Sequence, residues 1–147
     1  MRAGVPILAA VVLLQCACGY VKSGTWEDDP GNWNRAFHST KPPDVEVLHS
    51  KYWRGAHFTL EFSYYFEIKA NDALREQLFS SNTLIALSVE ETTGARQGLA
   101  RDAPPWFCPV DISRYDAWTS GGDKPRSPFV LFIDRETGNL FLAQEQL

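Results

Sequence analysis

Besides the acidic run Glu27-Asp28-Asp29, the side chains that could perform acid-base chemistry in this chain are three histidines, His38, His49 and His57, and the carboxylate Glu61. Sequence offers one route to their convergence. If Arg54-Gly55-Ala56 is a three-residue hairpin loop, Trp53 faces His57 and His49 faces Glu61, which sets both histidines, Glu61 and Lys51 on one outer face. A two-residue loop moves His49 to the buried face and dissolves the cluster. On the first register the chemistry would be hydrolysis of a wall or lipid component. No cysteine or second carboxylate stands at ligand spacing, so neither a metal nor a cofactor is expected. A nucleophile elbow, a phosphate-cradling glycine loop and an H-E-x-x-H helix are all missing from the sequence.

Paired acids have structural readings. Asp28 and Asp29 stand before Pro30, where an N-cap and a helix dipole want negative charge. Asp134 and Glu136 fall in a hairpin turn. The unusual quantity is aromatic content, 13% with five tryptophans. Most of these rings must be core. Trp53, Tyr65 and Val47 are expected on the sheet face opposite the main apolar stripe, so Trp53, Tyr65, His57 and Glu61 form the candidate binding surface for a protein or a glycan. The competing reading is that a helix or the 84–101 segment covers that face.

The compartment follows from the beginning of the chain. Met1-Arg2-Ala3-Gly4 is a short positive start, and Ile7 to Leu14 is an apolar run of eight residues, the length of a signal core. A membrane span needs about 20. Leu13 to Gly19 (LLQCACG) resembles a bacterial lipobox, with Gln15 where leucine is usual; this implies lipid attachment at Cys18, and Gly19 at the next position implies the outer membrane. The alternative is simple secretion with cleavage after Gly19. The expected organisation is therefore a cleaved leader 1–17 (1–19 if not lipidated), a tether 18–27 and a single domain 28–147. Cys108 is then the sole thiol of the domain, in the rigid apolar setting of Pro104 to Pro109, and is read as packing.

Charge narrows the partners. The formal net charge of −4 becomes −5 when Arg2 leaves with the leader, and the basic residues are scattered singly, so no nucleic-acid partner is expected.

Positioning these residues falls to a mixed set of elements. Trp33, Ala36 and Phe37 give a short helix after Pro30 one apolar face, with its end near His38 before Pro42-Pro43. Asp44 to Trp53 reads as a strand. His57 to Lys69 alternates throughout, with Phe58, Leu60, Phe62, Tyr64, Phe66 and Ile68 on one face, which marks an antiparallel strand covered on one side. Asn71 caps a second helix with Leu74, Leu78 and Phe79 as its stripe. Residues 84–101 are ambiguous between strand and helix. Ile112 to Trp118, Phe129 to Ile133 and Leu140 to Ala143 read as strands, the last two joined by a turn with Gly138. The fold class is α+β: a mainly antiparallel sheet of four to six strands with two or three helices on one face.

Residues 24–37 (GTWEDDPGNWNRAF), 105–107 (PWF) and 132–141 (FIDRETGNLF) resemble stretches in small proteins of Gram-negative bacteria. The resemblance implies no site. The expected function is a lipid-anchored envelope binding protein with a periplasmic protein partner, for instance an immunity protein, an inhibitor or an assembly accessory. The alternatives are an envelope hydrolase using Glu61 with His49 or His57, and a purely structural envelope lipoprotein.

Overall fold

The computed structural model describes residues 22–56, 60–99, 102–107, 112–121 and 129–146. The readings made for the leader, Cys18, His57 and Cys108 lie outside the described residues. In chain order the elements are β1 (Gly24–Glu27), α1 (Asn32–Phe37), β2 (Val47–Arg54), β3 (Phe62–Ile68), α2 (Asp72–Ser81), β4 (Leu84–Ala86), α3 (Val89–Leu99), β5 (Tyr115–Ser120), β6 (Phe129–Asp134) and β7 (Leu140–Gln146).

All seven strands form one antiparallel sheet in the order β1-β2-β3-β7-β6-β5-β4. It consists of two meanders, β1 to β3 and β4 to β7, joined where β3 pairs with β7 from Phe62↔Gln146 to Ile68↔Leu140. The antiparallel sheet agrees with expectation. The strand number exceeds the expected four to six, and helix is scarcer than the α+β reading implies, in three elements of 6, 10 and 11 residues.

Period two explains the layers. Along β3, Tyr64, Phe66 and Ile68 point to one side, where they join Tyr52, Leu131, Leu140 and Leu142, with Trp33 of α1 and Leu74 of α2 packed above. Tyr65 points to the other side and meets Phe132, Phe141 and Ala143, covered by Leu99 of α3 and by Phe107. The helices therefore lie on both faces, which corrects the one-face expectation. The sequence showed one apolar stripe on β3, but Tyr65 on the opposite side is fully buried. Each large side chain buried in this way contributes about 1.5–3 kcal/mol. Such packing is what sustains a helix as short as α1, which is below the length that is stable alone.

Three local expectations change. Gly24–Glu27, assigned to the tether, is an edge strand paired with β2 from Gly24↔Arg54 to Glu27↔Lys51. The connection between β2 and β3 is longer than three residues: Arg54 pairs with Phe62, and the Gly55 N–H donates to the Glu61 carbonyl at 3.0 Å. A register shift between Val47 and His49 moves Val47 to the Trp33 side of the sheet, away from Trp53 and Tyr65.

Candidate binding cleft

The corner where β1 leaves the sheet is built by three polar residues. Asp28 turns the chain with φ 48°, in the left-handed region that Asp tolerates better than most residues. Its N–H donates to the Ser50 carbonyl at 2.7 Å, and its Oδ1 accepts from the Ser50 N–H at 2.8 Å. Asp29 Oδ1 then accepts from the Gly31 N–H (2.7 Å) and from Arg35 Nη1 (2.8 Å). The Arg35 bond first, and the Gly31 bond second, hold the Asp29 carboxyl below its usual pKa. Neither acid is an N-cap: α1 begins after Gly31 and has no side-chain cap.

Asn32 locks the corner. It is fully buried, and its Nδ2 donates to the Trp26 carbonyl and to Ser50 Oγ, each at 3.0 Å. Its Oδ1 accepts from Arg35 Nη1 at 2.8 Å, while the Arg35 guanidinium lies 4.7 Å from the centre of the Trp26 ring. One guanidinium thus sits between an indole face and a carboxylate, the pairing that planar, weakly hydrated arginine favours.

Beside this corner opens a cleft of about 640 Å³. Trp33 and Phe66 line its apolar part, and the carboxylates of Asp28, Asp29, Asp44 and Glu46 border it. Two of the four have cationic partners, Asp29 with Arg35 and Glu46 with Lys69, both at 2.8 Å. Asp28 and Asp44 have no lysine or arginine partner among the described residues; Asp28 Oδ2 lies 3.5 Å from His49 Nδ1. Lys41 also lines the cleft, but its ammonium donates to the backbone carbonyls of Val45 and Pro42 and not to a carboxylate.

Trp33 is the second unusual feature. It is 7% exposed, packs 4.6 Å from the Phe37 ring and edge-on to Phe66, and its indole N–H has no acceptor among the described residues. A buried N–H without an acceptor normally costs about 1–3 kcal/mol. The cleft thus combines an acidic border with a floor of buried rings, Phe66 fully buried and Trp33 nearly so, and the Trp33 indole nitrogen is itself buried.

The residues expected to form a site go elsewhere. His49 pairs with Glu67, not Glu61, and its ring stacks on Trp106 at 5.4 Å. Glu61 lies at the far end of the hairpin beside Gly55, about 20 Å away at the usual strand rise. The pairing of His49 with Glu61 that a hydrolase would need is therefore absent, and His57 lies outside the described residues. His38 ends α1 with φ 51°, exposed. Trp53 is half-buried and lines a separate cavity of about 340 Å³ with Lys51 and Ser63. Tyr65 shares that sheet face but is fully buried; its ring meets Phe107 at 5.1 Å and its hydroxyl donates to Glu145, so it cannot contribute to an exposed surface. Among the described residues no three His, Cys, Asp or Glu side chains are grouped to hold a metal ion, and no helix is long and apolar enough to cross a membrane.

Asp44, Glu46 and Trp33 were not singled out as site residues by sequence reasoning. Asp44 and Glu46 read there as the polar half of an alternating strand, and Trp33 as the apolar stripe of a helix. Comparison with known proteins gives no match: no family model fits the chain, and no curated protein or solved structure matches it.

Proposed function

We propose that this protein is an exported binding protein of the bacterial envelope, held at the outer membrane by lipid on Cys18 and facing the periplasm, where it grips a protein partner. The observation that carries the binding reading is the cleft beside Asp28: concave, bordered by four carboxylates and fixed in shape by the buried Asn32 network. A site prepared in this way binds with less ordering cost than a flexible surface. Its negative border suits a basic partner, steering encounter as well as holding it. Support for export is the leader, with its apolar run Ile7 to Leu14, and support for the anchor is the lipobox-like segment ending at Gly19.

Two measurements test the reading. Cells fed labelled palmitate should label the protein, and Cys18→Ser should abolish the label. Tagged protein cross-linked in the envelope should capture a partner that the double variant Asp28→Asn, Asp44→Asn loses and Trp53→Ala keeps. Capture unaffected by the double variant removes the cleft as the binding site.

A further inference from the structure

A further cavity, of about 310 Å³, opens where β1 meets the end of β2 and is lined by Lys22, Trp26, Arg35, His38, Tyr52 and Arg54. We propose that it takes the phosphate headgroup of an anionic phospholipid, so that the domain stands on the membrane at this end with the acidic cleft turned away. The source of the headgroup rests on the lipid anchor proposed above; the chemistry of the pocket does not.

Every lining residue carries a donor and none is an acid, in a chain whose net charge is −4. Arg35 is already held at 2.8 Å by Asp29 and by Asn32. The charges left for a ligand are those of Lys22 and Arg54, neither of which has a carboxylate partner among the described residues. Lys22 and His38 are exposed and Arg54 is half-buried, so an entering anion reaches all three. The Trp26 indole N–H and the Tyr52 hydroxyl also have no hydrogen-bond partner among the described residues and, unlike the Trp33 N–H, neither is sealed from solvent. Ammonium, guanidinium and neutral donors gathered without a carboxylate match a phosphate, which offers several acceptor oxygens and negative charge.

The chain decides the source of that phosphate. Lys22 stands four residues beyond Cys18, and four residues span at most about 14 Å. A lipid on Cys18 therefore keeps the pocket within reach of the headgroup layer, and so short a link makes the local headgroup concentration high. An anionic surface attracts nearby basic side chains, each worth roughly a fivefold gain in binding, and repels the net-negative remainder of the domain. Val47, on the acidic cleft, and Arg54 stand at opposite ends of β2, about 23 Å apart at the usual strand rise. Contact at the basic end thus leaves the cleft facing the periplasm.

The test uses the full gene product as purified from the cell envelope, labelled with nitrogen-15 and held in micelles of a neutral detergent. The indole N–H resonance of Trp26 is assigned by its disappearance in Trp26→Phe. It should move as phosphatidylglycerol is added to the micelles and stay in place with phosphatidylcholine. In Lys22→Glu, Arg54→Glu the displacement at a given lipid fraction should fall at least fivefold, whereas Asp28→Asn, Asp44→Asn should leave it at least as large. Inorganic phosphate at the same concentration should displace it less than half as far.

A Trp26 resonance that ignores phosphatidylglycerol, that moves equally with phosphatidylcholine, or that keeps its displacement in Lys22→Glu, Arg54→Glu overturns the proposal. An equal response to inorganic phosphate assigns the pocket to a soluble phosphate and overturns the membrane contact. If the double variant does not fold, Lys22→Glu alone replaces it, since Lys22 is exposed and its side chain has no partner among the described residues; an undiminished displacement then overturns the proposal. The two readings fail separately. Protein that takes no palmitate but keeps the Trp26 response to phosphatidylglycerol discards the anchor and keeps the pocket. Palmitate-labelled protein with a silent Trp26 discards the pocket and keeps the anchor.

Discussion

Arg114 grips Asp134 with two parallel hydrogen bonds, Nε to Oδ1 at 2.8 Å and Nη2 to Oδ2 at 2.6 Å, tying the start of β5 to the turn between β6 and β7. The same carboxylate accepts from the Glu136 N–H and the Thr137 hydroxyl, each at 2.8 Å, and its side chain is 4% exposed. Asp134→Ala should destabilise the domain by about 2–4 kcal/mol, since it leaves several donors without their charged acceptor. Urea unfolding followed by tryptophan fluorescence measures this; a loss below about 1 kcal/mol would contradict it.

The same pair governs acid stability. Arg114 first, then the turn N–H groups and the Thr137 hydroxyl, hold the Asp134 carboxyl far below its ordinary pKa, against the upward pull of burial. A carboxyl with a depressed folded pKa takes up protons more readily in the unfolded chain. Its stabilisation is therefore complete above the unfolded value near pH 4 and is lost as pH falls below it. Asp29 and Glu91 are shifted in the same direction and act in the same window. Thermal melts from pH 7 to pH 2 should show a steep acid limb that is shallower in Asp134→Asn.

Asn32 should be among the least replaceable polar residues. Asn32→Ala removes donors to the Trp26 carbonyl and Ser50 Oγ together with the acceptor for Arg35, at a cost of about 1–3 kcal/mol. Asn32→Asp should be worse, because it sets a carboxylate oxygen against the Trp26 carbonyl. Ser50→Ala loses one of these bonds and should cost about 0.5–1.5 kcal/mol. Chemical denaturation of the three variants should return that order.

Much of the fold was legible because it is local. Asn71 was read as a helix cap, and its Oδ1 accepts from the Leu74 N–H at 2.8 Å. The alternation of Phe62 to Ile68 and the turn through Gly138 were equally clear. What failed depends on distant pairing. The register shift at Val47 and the long β2–β3 connection leave no mark on periodicity, yet the connection carries His49 away from Glu61 and the shift turns Val47 to the opposite face. The helix α3 holds two glycines and a polar surface, so its packing on the Tyr65 side was invisible before Leu99 could be placed. The cleft was illegible for the same reason: Asp28, Trp33, Asp44 and Phe66 meet only because the sheet's first corner brings four segments together.

Trp53 and Tyr65, two of the four residues of the surface expected from sequence, should separate on substitution. Tyr65→Ala empties a fully buried site and should cost about 3–5 kcal/mol, whereas Trp53→Ala at a half-buried position should cost less than about 1.5 kcal/mol. A binding assay on the pair together would thus report unfolding. Equal losses for both would place Trp53 in the core.

Gly138 has φ 75°, and a Cβ there would stand 3.1 Å from the Ala70 Cβ. Gly138→Ala should therefore lose about 1–2 kcal/mol through backbone strain and crowding. An unchanged melting temperature would show that the turn can relax.

The seam between the two meanders has a kinetic meaning. Each half can assemble from neighbours in the chain, but the β3–β7 zipper matches residues such as Tyr65 and Ala143, which are far apart along the polypeptide. Until β7 has been delivered, β3 presents a bare central edge flanked by aromatic rings. The half-made molecule is thus a period of risk, when a chaperone or a neighbouring chain competes for the slot that β7 will fill.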